Sequence, residues 1–430
     1  MNIIHGDCLE ELKKLEDNSI DAVVCDPPYG LSNTKPSQVA DVLKAWVTGD
    51  TVSVPAKRGG FMGKDWDSFV PPPAVWEECM RVLKPGGHMA VFAGARTQDL
   101  MGLSIRLAGF EIRDTLGWIY GSGFPKSHSI GKAIDKAAGA EREVLSERPA
   151  YGIGGNGILN GHSEGATAKV TAPATSEAAK WDGWGTALKP AIEPIILARK
   201  PLDGTVANNV LAHGVGGLNI DACRVPHGDE VDMQAQQRQQ SEGGDSVTGA
   251  FGAGGLVGSP IPMYKPGGRF PANVLLDEHA AKEMDKQSGA SVSRVRKRRD
   301  SHEAKESTAA YGDYGVAAYD RGTSDEGGAS RFFPVFKYQA KAPKRERPVI
   351  EREDGSKIQH STVKPLALME WLVSLIVPPG GVVLDPFAGS GTTLQAALNK
   401  GFTPIGIEQD ADYIKLIEKR LEATCTTHKN

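Results

Sequence analysis

Gly381-Val382-Val383-Leu384-Asp385-Pro386-Phe387-Ala388-Gly389-Ser390-Gly391-Thr392-Thr393 joins a short apolar run to a glycine turn and then to a helical pattern. An apolar run of this length, bounded by such a turn, reads as a buried strand. The glycines let backbone amides approach a ligand closely, and the following helix presents its N-terminus to it. Downstream, the spacing predicts a helix over 392–400, a strand over 403–408 and a closing helix from 410 to 423. This is a strand-helix-strand unit of the nucleotide-binding type. The full pyrophosphate fingerprint GxGxxG is missing, which favours a nucleoside ligand without phosphates. Glu408 ends the second strand, where such a fold sets a carboxylate against ribose hydroxyls. Residues 365–377 ahead of the unit form an amphipathic helix pattern, ended by Pro378-Pro379-Gly380.

Nearer the start of the chain, strand-like runs fall at 2–5, 20–25, 88–93, 111–120 and 194–198, with helical patterns over 9–15, 73–83 and 97–108. Lys84-Pro85-Gly86-Gly87 reads as the stop of the second of these helices. Alternating strands and helices predict an α/β fold with a doubly wound, mostly parallel sheet. The stretch 202–350 differs. It is rich in Gly, Ser and charge, and only 270–276 and 332–338 look ordered. A smaller Gly-rich stretch, 151–165, reads as a mobile loop. The expected organisation is therefore 1–201, an inserted region 202–350, and 355–430.

Asp26-Pro27-Pro28-Tyr29-Gly30 follows the apolar run Ile20–Cys25. It places an aromatic ring beside a carboxylate and a rigid Pro-Pro carbonyl. An exocyclic amine on a nucleobase is a poor nucleophile because its lone pair is delocalised into the ring. The Asp26 carboxylate and the Pro27 carbonyl can accept both amine hydrogens, which pulls the nitrogen towards tetrahedral geometry and frees that lone pair. The prolines fix φ and hold the acceptors rigidly. The rival reading is an X-Pro-Pro turn that merely ends a strand. Cys25 lies at the end of a buried strand, without the Pro-Cys loop context of a cytosine-C5 nucleophile, and reads as a packed thiol.

In this order, catalytic-type motif first and Gly-loop motif last, the chain resembles the permuted beta group of S-adenosylmethionine-dependent DNA amino-methyltransferases. His360-Ser361-Thr362-Val363-Lys364-Pro365 resembles the motif that precedes the cofactor unit in that family, which usually has Pro where Ser361 stands. The resemblance implies a Rossmann-like methyltransferase fold in which Asp26, Pro27, Pro28 and Tyr29 are catalytic, with Tyr29 stacking on a flipped-out base. It implies S-adenosylmethionine as cofactor, held by Asp7, Lys364, Asp385, Phe387, Gly389, Gly391, Thr392 and Glu408. Gly6-Asp7-Cys8 resembles the element that contacts the cofactor adenine, and Asp7 also reads as an ordinary helix N-cap. Trp118–Ser127, Lys189–Lys200 and Phe61–Trp66 resemble family segments without assigned roles, and Trp66 and Trp118 read as core residues.

The resemblance further implies duplex DNA as partner, with a target recognition domain in 202–350. It leaves room for a cognate restriction enzyme and a homodimer. Asp before Pro-Pro-Tyr favours adenine N6 over cytosine N4, since N4 enzymes mostly carry Ser there. A DNA-binding protein without catalysis and an enzyme acting on RNA or a protein amide are the other readings. Intact Asp26, Tyr29, Asp385 and Glu408 disfavour the first, and the large insertion disfavours the second.

Composition bounds these readings. The 430 residues, 40% hydrophobic and 24% charged, are those of an ordinary globular protein. The net charge of −4 does not announce a nucleic-acid binder. A local basic surface is what counts, and Arg294-Val295-Arg296-Lys297-Arg298-Arg299 supplies one candidate, with a solvated loop as its bland alternative. Lys337–Lys341 with Lys344, Arg345 and Arg347 is a second. Five scattered cysteines indicate neither a zinc site nor a disulfide framework. No run reaches the roughly 18 apolar residues of a membrane span and no signal peptide is visible, so a reduced, cytoplasmic protein is expected.

Overall fold

The computed structural model describes residues 2–32, 34–55, 67–121, 123, 127–149, 167–226, 268–293, 325–336, 347–352, 354–360 and 362–427. The chain divides into two compact units, residues 1–122 with 192–430, and residues 123–191. In chain order the strands are β1 (Asn2–His5), β2 (Ile20–Cys25), β3 (Leu83–Phe92), β4 (Glu111–Ile119), β5 (Val144–Pro149), β6 (Thr167–Thr171), β7 (Ile192–Arg199) and β8 (Val274–Asp277). They continue with β9 (Ser291–Ser293), β10 (Asp325–Gly327), β11 (Val335–Phe336), β12 (Ile350–Glu351), β13 (Lys357–Ile358), β14 (Val382–Asp385) and β15 (Thr403–Glu408).

The first unit is built on a nine-stranded sheet in the order β1-β15-β14-β2-β3-β7-β4-β8-β11. Among the described residues, β7 alone runs against its neighbours β3 and β4, and every other pairing in this sheet is parallel. β2 shows why the sequence folds this way. All six of its residues are buried. Val23 and Cys25 face a core containing Leu12, Trp76, Met101 and Ile105. Ala22 and Val24 face the opposite core, with Leu368, Leu372 and Val373 of the helix Leu366–Ile376. A strand covered on both faces needs an unbroken apolar run rather than alternation. Each large aliphatic side chain so buried contributes about 1.5–3 kcal/mol. The exception, Asp21, is paired with Lys84 Nζ at 2.7 Å and accepts from Val382 N at 2.7 Å, stitching β2 to β14.

Three expectations change. β3 begins at Leu83, so Lys84–Gly87 does not stand outside the strand. The ladder passes from Ile20↔Leu83 to Ala22↔His88, and Gly86 takes φ +77° in the extra loop of chain. The region 202–350 supplies β8 and β11 to the central sheet, together with the helices Val206–His213 and Glu278–Ser288. The second helix was hidden because only Ala281 is buried along it. It is marked instead by its ends, with Asp277 accepting from Ala280 N at 2.6 Å and Gly289 at φ +63°.

The second unit pairs β5 with β6 antiparallel and adds the helices Ile130–Ala137 and Ser176–Lys180. Its buried charge is Asp135, which takes Arg142 at 2.6 Å and the backbone amides of Ala174 and Thr175. The stretch 151–165, expected as a loop, lies outside the described residues. Among the described residues no helix is long and apolar enough to cross a membrane.

Candidate active site

β14 lies beside β2 with Val383 opposite Ala22 and Leu384 opposite Val23, so both strands deliver a carboxylate, Asp385 and Asp26, to the same carboxyl edge of the sheet. Open α/β sheets bind ligands at this edge. Because β7 is reversed, its beginning reaches the same edge. Ile195 is opposite Phe92, and Ala93 N donates to Pro194 O at 2.9 Å. Glu193 therefore arrives where β2 and β3 end.

The Tyr29 hydroxyl donates to Asp26 Oδ1 at 2.8 Å and lies 3.4 Å from Glu193 Oε2. Lys364 Nζ donates to the Tyr29 hydroxyl at 2.9 Å and to Glu193 Oε2 at 2.8 Å, and is 3.2 Å from Asp26 Oδ1. It also sits over the rings of Phe92 and Tyr29, 4.7 and 5.2 Å from their centroids. Burial alone would push the Lys364 ammonium down. Asp26 and Glu193 more than offset it, and hold Lys364 charged well above the ordinary lysine range. Burial, with Asp26 and Glu193 behind it, pushes the Tyr29 phenol up, so it stays a neutral donor.

The Pro-Pro turn is clamped from outside. Asp67 Oδ1 accepts from Tyr29 N at 2.7 Å and Gly30 N at 3.0 Å, and Thr97 Oγ1 donates to Tyr29 O at 2.6 Å. Gly30 has φ +67°, and a Cβ there would lie 2.7 Å from Val70 N, so glycine is required.

On the other side, Asp385 is buried at 2% exposure and accepts from Phe387 N at 3.0 Å and from the Thr393 side chain. Burial raises its carboxyl to about 7, with the negative charges of Asp26 and Glu408 adding to the rise. Glu408 accepts from Gly389 N at 2.8 Å and Asp410 N at 2.9 Å, and burial raises it too. Gly389 and Gly391 take φ +52° and +77°. A Cβ on Gly391 would press on Ile417 at 3.0 Å. Buried Arg420 braces the turn, donating from Nε to Ser390 O at 2.7 Å. Phe387 packs on Trp76, and Thr392 opens the helix Thr392–Asn399, buried. Asp7 caps the helix Cys8–Leu12 through Leu9 N and Glu10 N, while Gly6 N donates to Glu408 O at 3.0 Å.

Asp26 and Tyr29 thus meet Lys364 in one cluster, and Asp7, Phe387, Gly389, Gly391 and Thr392 gather around Asp385 and Glu408. The ammonium of Lys364 lies within the Asp26 cluster. Glu193, Asp67 and Arg420 belong to no motif with a role assigned from sequence. Glu193 falls in the Lys189–Lys200 segment noted there, but its neighbours in space come from distant chain. Trp118 is buried against Phe336, as expected of a core residue. Cys25 is fully buried, and burial pushes its thiol well up, which leaves it inert. Arg294, Arg296, Lys297, Arg298 and Arg299 lie outside the described residues, as do 337–346 and Phe61–Trp66.

An amide-lined glycine turn beside two partly uncompensated carboxylates suits a nucleoside that carries positive charge rather than phosphates. S-adenosylmethionine, with its sulfonium and ammonium, has that character, and the residues present fit it. The family model for N6/N4 DNA methylases matches residues 20–419. The chain belongs to this DNA methylase family. S-adenosylmethionine is the family's cofactor.

Among similar proteins, the type II methyltransferase M.HindIII of Haemophilus influenzae is 26% identical over 233 residues, 50% of this chain and 64% of the relative. The DNA adenine methyltransferase YhdJ of Escherichia coli is 46% identical over 63 residues, 15% of this chain and 21% of that protein. The alignments thus span less than two thirds of these relatives' own lengths. The solved M1.HpyAVI–SAM complex superposes with a TM-score of 0.37 at 14% identity, covering 98% of each chain.

Proposed function

We propose that this DNA methylase transfers a methyl group from S-adenosylmethionine to the exocyclic N6 of adenine in duplex DNA, at sites read by the region 202–350. The observation that carries the reading is the placement of Asp26 and Asp385 at the ends of adjacent parallel strands. The amine-activating motif and the cofactor-type turn therefore open at one edge.

When bound, S-adenosylmethionine supplies a methyl activated by its positive sulfur. The chain's residues prepare the other reactant. Asp26 and the Pro27 carbonyl accept the two amine hydrogens, and Pro27 and Pro28 fix those acceptors before the base arrives. Pro28 leads into Tyr29, whose ring offers a face for the extruded base. The cofactor's methyl would pass to the nitrogen lone pair that those acceptors free, the sulfur retaining the electrons of the broken S–C bond. The alkylated nitrogen then gives up a proton, which Asp26 is placed to take. Asp385 and the turn Phe387–Gly391 would hold the methionine half, Glu408 the ribose, and Asp7 the adenine end.

Adenine is favoured by Asp rather than Ser before Pro-Pro-Tyr and by the adenine-specific relative. Arg294–Arg299 is proposed as a phosphate-contacting run within the recognition region. A cognate restriction enzyme fits the type II relatives, and a homodimer is proposed beside it. The test is methylation of unmodified DNA with methyl-labelled cofactor, followed by digestion to nucleosides. Label in N6-methyladenine is expected. Label in N4-methylcytosine would overturn the base but leave the chemistry standing, and label in 5-methylcytosine would overturn both.

A further inference from the structure

Among the described residues, Glu193 is the acidic group of the Asp26 cluster to which no motif assigned a role, and the reversed strand β7 brings it there. We propose that Glu193 is a positioning residue for methyl transfer: it holds Lys364 and balances its charge, leaving the charge of Asp26 for the target amine. The inference rests on the activity proposed above and concerns the same site.

An ammonium has three hydrogens to place. Those of Lys364 have three acceptors within reach, Glu193 Oε2 at 2.8 Å, the Tyr29 hydroxyl at 2.9 Å and Asp26 Oδ1 at 3.2 Å. Glu193 is the nearest of the three and Asp26 the farthest. Lys364 is thus tied first to Glu193, and Asp26 Oδ2 takes part in none of these contacts. The side chains of Lys364, Asp26 and Glu193 are only 12%, 22% and 27% exposed, so solvent screens their interaction poorly.

Asp26 with Lys364 alone is a neutral pair, whereas Glu193 makes the cluster net −1. During transfer, positive charge passes from sulfur to the amine nitrogen. A neutral pair gives that nitrogen little stabilisation, and a net −1 cluster favours it before its proton leaves. Without Glu193, Lys364 would turn to Asp26 and compete with the amine for the carboxylate. Lys364 itself serves as the hinge of the arrangement, since its ammonium fixes the Tyr29 hydroxyl and through it Asp26 Oδ1.

The test uses single-turnover methylation of unmethylated genomic DNA by the full chain, with labelled S-adenosylmethionine at saturation. Glu193→Gln keeps the shape and a hydrogen-bond acceptor but removes the charge. It should slow the transfer rate about 10²-fold while KM for S-adenosylmethionine, DNA affinity and melting temperature stay near wild type. Glu193→Asp should recover part of the rate. In a Lys364→Met background, Glu193→Gln should cause no further loss, because the charge it balances is gone. A full rate for Glu193→Gln, a loss confined to KM for the cofactor, or additive losses in the double variant would each overturn the inference while the wild-type activity stands. Wild-type protein that labels no DNA would overturn the activity and the inference together.

Discussion

Asp26 and Asp385 leave neighbouring strands at one edge, yet their charges are met in different ways. Asp26 lies against a lysine that Glu193 also holds, so the Asp26 side has its countercharge built in. Asp385 and Glu408 accept from backbone amides and the Thr393 side chain, and burial leaves both raised. One side is therefore preorganised by the protein, while in the proposed reading the other would gain its countercharge from a cationic cofactor.

Asp26→Ala tests this asymmetry most severely. Methyl transfer should fall on the order of 10³-fold, with cofactor affinity by calorimetry within about twofold of wild type. An equal fall in affinity would mean that Asp26 serves the cofactor side. The converse holds for Glu408→Ala, where cofactor affinity should drop about 10–100-fold, the loss of a hydrogen bond to a charged group.

The unequal treatment of charge also predicts a pH dependence. Burial raises the Asp385 carboxyl to about 7, and in the proposed reading it must be ionised to meet the cofactor's positive charge. Cofactor affinity should therefore weaken as pH falls below about 7, approaching tenfold per unit, and level off above it. Calorimetry from about pH 5.5 to 8.5, spanning that titration, reads this directly. Asp385→Asn should bind more weakly on the alkaline side and lose most of the slope. A wild-type affinity independent of pH would show that the carboxylate does not face the cofactor charge.

Two smaller effects extend the contrast beyond the edge. Alanine at Arg296, Lys297, Arg298 and Arg299 should weaken DNA binding and reduce its salt dependence by about one unit of slope for each phosphate left unneutralised. An unchanged slope would make the run a solvated loop. Cys25→Ser should leave turnover within about twofold, and lower stability by about 1–3 kcal/mol for burying a hydroxyl in an apolar strand. Complete loss of turnover in folded protein would revive a covalent mechanism.

Much of this edge was legible in the sequence. β1, β2, β14 and β15 fall where they were predicted; for β2 and β14 the reason is that a strand buried on both faces must be continuously apolar and must end in a turn. Asp26 through Tyr29 and Asp385 through Thr392 were legible for the same reason, since a Pro-Pro turn and a positive-φ glycine turn are local backbone facts. The helices of 202–350 were not. Glu278–Ser288 buries a single residue and so carries no apolar stripe to betray it.

Residues a few positions apart suffice to specify the strand-turn-helix units, their motifs and the order in which they occur, and all of these are present in the one-dimensional chain. The direction of β7, which runs backwards between β3 and β4, emerges only when the sheet is assembled. Strand direction leaves no trace in an apolar run, since period and composition are the same read either way. That reversal carries Glu193 to the edge, where it meets Lys364, 171 residues later in the chain, and Asp26 at one ammonium. Nothing local could announce a charge balance whose three members come together only in the folded sheet.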